Sequence, residues 1–340
     1  MKIDFHVKLG LAIIAVFGLV LFVFTAYRPV CIKIHAFRLS SQNMETRDDA
    51  AESLKDFGQR GVDSLTAFLK ERYLIADAGE RIWIVEKMCS LGDEARSLMK
   101  AIFIRRIRKD QALVSDGNFM MGNDKGYADE RPVHNETISR FAIDKYEVTN
   151  EKYFTYECIA GTAGNYKTWV AKDTFRGYGS DYPMVNVSWD DADKYAGFLG
   201  MRLPDEAEWE YACLACAGGD FCFSENAESL GKYAWFMVNS GNRTHPVGKK
   251  KPNAWGLYDM HGNAWEWCLD WYNMWSYNIK SQSSPSQPSG GPGKVLRGGS
   301  WGRSAVYCRS SHRYFAAPGT RDPMYGFRVC RPIPYIQNNN

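Results

Sequence analysis

The hydrophobic pattern divides the chain into three textures. Residues 9–26 form an apolar run without charge, long enough at ~1.5 Å per residue to cross most of a bilayer core of ~30 Å. The pattern predicts a membrane-spanning signal anchor there, behind a short tail over residues 1–8. A cleaved signal peptide competes with that reading, but Phe24 stands two residues before Ala26, where an A-x-A cleavage site needs a small side chain. Lys2 and Lys8 precede the run and Arg28 and Lys33 follow it, so basic flanks alone do not orient it. With the N-terminus in the cytoplasm by default, the chain is expected to be a single-pass membrane protein whose C-terminal part lies outside the cytoplasm.

Residues 40–109 carry apolar side chains at helical intervals, among them Leu54, Phe57, Val62, Leu65, Phe68 and Leu69, and predict a small helical module. The sextet Ser53-Leu54-Lys55-Asp56-Phe57-Gly58 recurs in type about 34 residues later as Lys87-Met88-Cys89-Ser90-Leu91-Gly92. That period fits two helix pairs of a HEAT-like kind, and equally a helical stalk; either is a spacer or docking surface. From Leu113 onward, apolar runs shorten and Gly and Asn become frequent, which predicts a loop-rich α+β domain over residues 113–333. Two helices are placed within it. Ser188 is the N-cap of one that runs to Leu199, and Asp205 with Glu208 forms a capping-box variant opening the other. Residues 280–293, rich in Ser, Pro and Gly, read as a surface loop.

Composition narrows the partners. A net charge of +3 on 81 charged side chains gives no broad field for nucleic acid, and none is expected. Nine cysteines leave at least one unpaired within a single chain, and seven of them fall in the C-terminal region. Outside the cytoplasm disulfides are permitted.

The C-terminal region contains ordered blocks: Tyr146-Glu147-Val148-Thr149-Asn150, Arg202-Leu203-Pro204-Asp205-Glu206-Ala207-Glu208-Trp209-Glu210-Tyr211, Gly256 to Trp267, Val295-Leu296-Arg297-Gly298-Gly299-Ser300-Trp301, and Tyr325-Gly326-Phe327-Arg328-Val329. In order and content they resemble the formylglycine-generating enzyme family, the sulfatase-modifying factors, from about Leu113 to Arg331. The resemblance implies a modified C-type-lectin-like architecture, here preceded by the membrane helix and the helical module.

Asp259 and Glu266 stand seven residues apart around Gly262, and a loop curling at that glycine can aim both carboxylates and carbonyl oxygens at a hard cation. The resemblance implies a Ca²⁺ site built from Asp259, the backbone oxygens of Gly262 and Ala264, and Glu266. The plainer alternative is that Asp259 caps a turn and Glu266 pairs with an arginine. In active family members, two cysteines five apart follow the Gly-Gly-Ser, bind Cu(I) and use O₂ to oxidise a substrate cysteine to formylglycine. Here Cys308 takes the second position and Arg303 the first, so half of that thiolate pair is missing. Arg303 and Arg309 would favour a Cys308 thiolate if the fold brought them close. Ser300 matches a family active-site serine, although Gly-Gly-Ser-Trp also makes a tight turn by itself.

Cys213, Cys216 and Cys222 permit redox or zinc chemistry by spacing, with Cys268 as a distant fourth ligand. A disulfide from Cys222 to Cys213 or Cys216 is the expected arrangement. His245 and His261 read as structural. The balance is a calcium-stabilised scaffold or binding module with a protein or peptide partner, for example a sulfatase-like substrate. A formylglycine-type oxidase is the alternative. A further one is a displayed binder diversified over residues 301–325.

Overall fold

The computed structural model describes residues 28–41, 43–163, 179–223, 226–277 and 290–334. The tail, the apolar run over 9–26 and most of the 280–293 loop lie outside the described residues. No helix among the described residues is long and apolar enough to cross a membrane. The chain forms two compact units, residues 1–100 and 101–340.

The first unit holds helices α1 (Arg28–Arg38), α2 (Met44–Asp56), α3 (Gln59–Ile75), α4 (Ala78–Ser90) and the start of α5 (Asp93–Lys109). Local chemistry sets their starts. The Asn43 side chain accepts from the amides of Glu45 and Thr46 to open α2, and Asp77 accepts from Glu80 to open α4. Leu54, Leu65, Leu69, Tyr73, Val85 and Met88 are buried, while Phe57, Val62 and Phe68 are half-buried. The repeated sextets mark the ends of α2 and α4. Each closes on a glycine with positive φ, Gly58 at 69° and Gly92 at 104°, immediately before the next helix.

The second unit has short strands and long connections. Strands β1 (Gln111–Val114), β4 (Phe141–Asp144) and β9 (Cys330–Pro332) form an antiparallel sheet in the order β1-β4-β9, and β2 (Gly117–Met121) pairs antiparallel with β3 (His134–Ile138). A four-stranded sheet has the order β7-β6-β5-β8, from β5 (Trp265–Trp271), β6 (Lys294–Arg297), β7 (Tyr314–Ala316) and β8 (Tyr325–Gly326). Its β5–β8 pair is parallel. Helices α6 (Asn150–Ala160), α7 (Trp189–Phe198), α8 (Glu206–Leu214) and the one-turn α9 (Leu230–Tyr233) complete it.

Both expected helix starts are present, each with a reciprocal capping box: Ser188 with Asp191, and Asp205 with Glu208. Helix α8 is buried from Glu206 to Cys213, so apolar and acidic residues go into the interior together. Trp209, Ala212 and Cys213 join a core cluster with Ile143, Leu257, Cys268 and Val295. The carboxylates are matched by arginines from distant segments. Arg313 grips Glu206 at 2.6 and 2.7 Å, Arg202 grips Glu208 at 2.6 Å to each oxygen, and Arg297 reaches both Glu206 and Glu210.

Removing one partner from such a buried set leaves an uncompensated charge and costs about 3–5 kcal/mol. Arg297→Met is therefore expected to lower unfolding stability by about that amount in urea titrations. A loss below about 1 kcal/mol would contradict the assignment of this guanidinium as a central tie.

Candidate functional site

Arg297 closes the loop that carries the predicted catalytic positions. At the end of β6 its guanidinium donates to the carbonyls of Ser310 (2.7 Å) and Ser311 (3.0 Å), drawing the two ends of the 298–311 loop together. Gly298 and Gly299 follow with φ of 95° and 75°. A side chain at Gly298 would press on Trp209, and one at Gly299 would meet Cys308 Sγ at 2.7 Å. The turn thus sets Ser300 and Cys308 by close backbone approach. Ser300 is buried; its carbonyl accepts from the Arg303 amide, and its Oγ has no protein partner.

Cys308 lies in an apolar cluster with Phe221, Leu230 and Ala234. Burial pushes its thiol up to about 12, against the opposing bond from the Ser300 amide. The expected lowering by Arg303 and Arg309 is not found. Arg309 is committed elsewhere, bidentate on Glu130 at 2.6 and 2.8 Å, and Arg303 lies over the rings of Tyr307 and Tyr314, 5.8 Å from each centroid. Among the described residues, no carboxylate pairs with Arg303. Its Nε and the Trp265 Nε1 are buried donors without a protein partner, and Trp265 stacks on Tyr314 at 5.3 Å.

The cysteine cluster departs from expectation. All nine cysteines are free thiols, so the Cys222 disulfide to Cys213 or Cys216 is absent. His261 occupies that space instead. Its Nδ1 donates to the Cys308 carbonyl at 2.9 Å, its Nε2 accepts from the Cys222 amide at 3.1 Å, and Cys213 Sγ sits 3.8 Å from the ring. A buried neutral imidazole makes these backbone ties. Among the described residues no three His, Cys, Asp or Glu side chains are grouped to hold a metal ion.

The Asp259–Glu266 turn folds as a negatively charged interior site. Asp259 has φ of 60°; its Oδ2 accepts from the Gly248 amide at 2.7 Å, while the buried Oδ1 has no partner. Glu266 is gripped by Arg328 at 2.6 Å to each oxygen and by Trp209 Nε1 at 2.8 Å. The plainer reading of Glu266, an arginine pair, is thus present in the structure. Glu147 accepts from the Ala264 amide (2.9 Å) and the Asn263 side chain (2.7 Å). Burial, then Asp259 and Glu266, push its carboxyl upward; burial pushes Asp259 up to about 6. Three carboxylates therefore lie within electrostatic reach of Arg328, and Glu266 is the one that pairs with it. Glu147 and Arg328 were not singled out from the sequence, although both lie in its ordered blocks.

An open cleft of about 1000 Å³ is lined by Phe119, Lys125, Tyr127, Tyr211, Asp220 and Arg309, with the exposed Cys216 also on its wall. Two of its charges are tied within the protein, Asp220 to Asn123 at 2.7 Å and Arg309 to Glu130.

Short mixed sheets, two capped helices and the Gly-Gly-Ser loop define a C-type-lectin-like domain of the formylglycine-generating-enzyme type. Residues 104–333 match the Sulfatase-modifying factor enzyme 1-like domain, and the chain belongs to that family. The chain is 32% identical over 300 residues to the serine/threonine-protein kinase pkn1 of Chlamydia caviae, covering 83% of this chain and 47% of that protein. It therefore spans about half the length of that relative. Because 83% exceeds what residues 104–333 hold, the similarity enters the helical module. The formylglycine-generating enzyme of Streptomyces coelicolor is 30% identical over 281 residues, covering 66% of this chain and 89% of that enzyme. The solved structure of Treponema denticola variable protein 1 matches with a TM-score of 0.55 at 28% identity, over 66% of this chain and 95% of that one.

Burial holds the His261 imidazole down to about 4, below its ordinary 6.5, so the unfolded chain takes up the proton first. Its contribution is complete above the ordinary value and is lost as pH falls toward the folded one. Between pH 6.5 and 5 the native chain is expected to lose about 2 kcal/mol that a His261→Gln variant does not lose, compared by urea unfolding at both pH values. Equal pH slopes in the two proteins would refute the neutral, buried histidine.

Proposed function

We propose that this chain is a membrane-anchored, extracytoplasmic scaffold or binding module of the sulfatase-modifying-factor family, stabilised by calcium, rather than a copper oxidase. The observation that carries the reading is the pair Arg303 and Cys308. Cu(I) favours two soft thiolates. Here one position holds a permanent cation, and the other holds a buried thiol that stays protonated at neutral pH. The residues present do not fit that metal. Recognition is the better fit: Arg303 is half-buried, carries no counter-carboxylate among the described residues, and lies against the rings of Tyr307 and Tyr314. A protein or peptide partner is the expected ligand.

Calcium fits better. Asp259 brings an unpartnered buried oxygen near Glu147 and Glu266, and a hard cation there would take oxygen from Asp259, the carbonyls of Gly262 and Ala264, and Glu266 on release of its Arg328 pair. Likeness to Treponema denticola variable protein 1 favours a second reading, a displayed binder using residues 301–325 as its contact surface.

The test is Cu(I) titration and aerobic turnover of a Cys-x-Pro-x-Arg peptide by the detergent-solubilised full chain beside Arg303→Cys. The native chain is expected to bind no stoichiometric copper and form no aldehyde, while the variant gains copper affinity. Aldehyde formation by the native chain would establish the oxidase reading instead. Chelation of calcium is expected to lower the midpoint of thermal unfolding by about 5 °C, reversibly, and Asp259→Ala to abolish that response. A native chain indifferent to both chelator and added Ca²⁺ would rule the site out.

A further inference from the structure

Helix α1 has an exposed face that no described residue of its own unit covers. Val30, Ile34 and Phe37 stand at i, i+4 and i+7 and are 54%, 53% and 81% exposed, with Lys33 and Arg38 exposed along the same side. The opposite side packs inward, through Leu39 at its end and His35 against Phe57 at 5.9 Å. Single exposed apolar residues are ordinary, but a contiguous row on one helix face marks a surface meant to be covered.

We propose that this face of α1 lies on the surface of an acidic phospholipid bilayer, with Val30, Ile34 and Phe37 among the outer acyl segments and Lys33 and Arg38 on the headgroups. Two further observations select lipid as the occupant. The helix carries only basic charge, and no Asp or Glu occurs anywhere from Phe5 to Met44, which suits an anionic surface and no basic or neutral one. The apolar run ends at residue 26, two positions before α1 begins, so a spanning run delivers the helix to the headgroup layer with no intervening linker. The inference rests on the anchor reading above and adds to it a second, oriented contact that holds the helical module against the membrane.

The full chain is reconstituted into phosphatidylcholine vesicles with or without phosphatidylglycerol, carrying the photocrosslinker p-benzoylphenylalanine in place of Phe37 or, as a control, of the exposed Glu94. Position 37 is expected to crosslink to lipid severalfold more than position 94, and severalfold more with phosphatidylglycerol present. Lys33→Gln with Arg38→Gln is expected to remove that lipid preference. Crosslinks from position 37 to residues 9–26 of the same chain, or to a second copy as a dimer, without lipid adducts, would overturn the proposal. Alkaline carbonate washing separates the two readings. A chain retained in the vesicles but crosslinked only to protein keeps the anchor and sinks the helix; a chain washed off yet crosslinked to lipid beforehand does the reverse.

Discussion

Buried guanidinium–carboxylate pairs hold the second unit together. Its strands are two to seven residues long, too short for ladder hydrogen bonds to fix the long connections between them. Arg297 ties α8 to the 298–311 loop, Arg313 ties the same helix to β7, and Arg328 joins β5 to the connections at residues 144–145 and 258. Arg313 and Arg328 fill their planar forks with carboxylate and carbonyl oxygens, and Arg297 does so through both terminal nitrogens. Such geometry is required for buried charge to be tolerated at all.

That framework sets what the family's reactive loop can do in this chain. With Arg297 closing the loop and the glycines admitting close approach, Cys308 is pressed into an apolar cluster, and burial outweighs any nearby positive charge. The reactivity of a thiol depends on its ionisation, and burial opposes that ionisation at Cys308. Arg303 lies over the rings of Tyr307 and Tyr314, and no carboxylate among the described residues pairs with it.

The interior around Asp259 follows another rule. Where carboxylates outnumber guanidinium groups, the imbalance is relieved by protonation or by an added cation. Glu147, Asp259 and Glu266 near Arg328 are such a case: Glu147 and Asp259 are both pushed upward, and one buried Asp259 oxygen has no protein partner. The cysteines near His261 obey the opposite economy of space. A neutral imidazole satisfies two backbone groups there, leaving no need for a crosslink.

Local signals were legible in the sequence wherever the cause is local. The N-cap at Ser188 and the capping box at Asp205 depend on residues within a turn of one another, and the ordered blocks from Tyr146 to Val329 identified the family. Once the family resemblance was drawn, Arg303 in place of a cysteine followed from it. What only the tertiary structure decided are pairings between distant segments: Arg328 with Glu266, Glu147 with the 263–264 turn, and Arg309 with Glu130 rather than with Cys308. The free state of Cys213 and Cys222 and the high value of the Cys308 thiol belong to the same class. Charge partners and burial are set by which segments the fold brings together, and one-dimensional spacing carries no record of that.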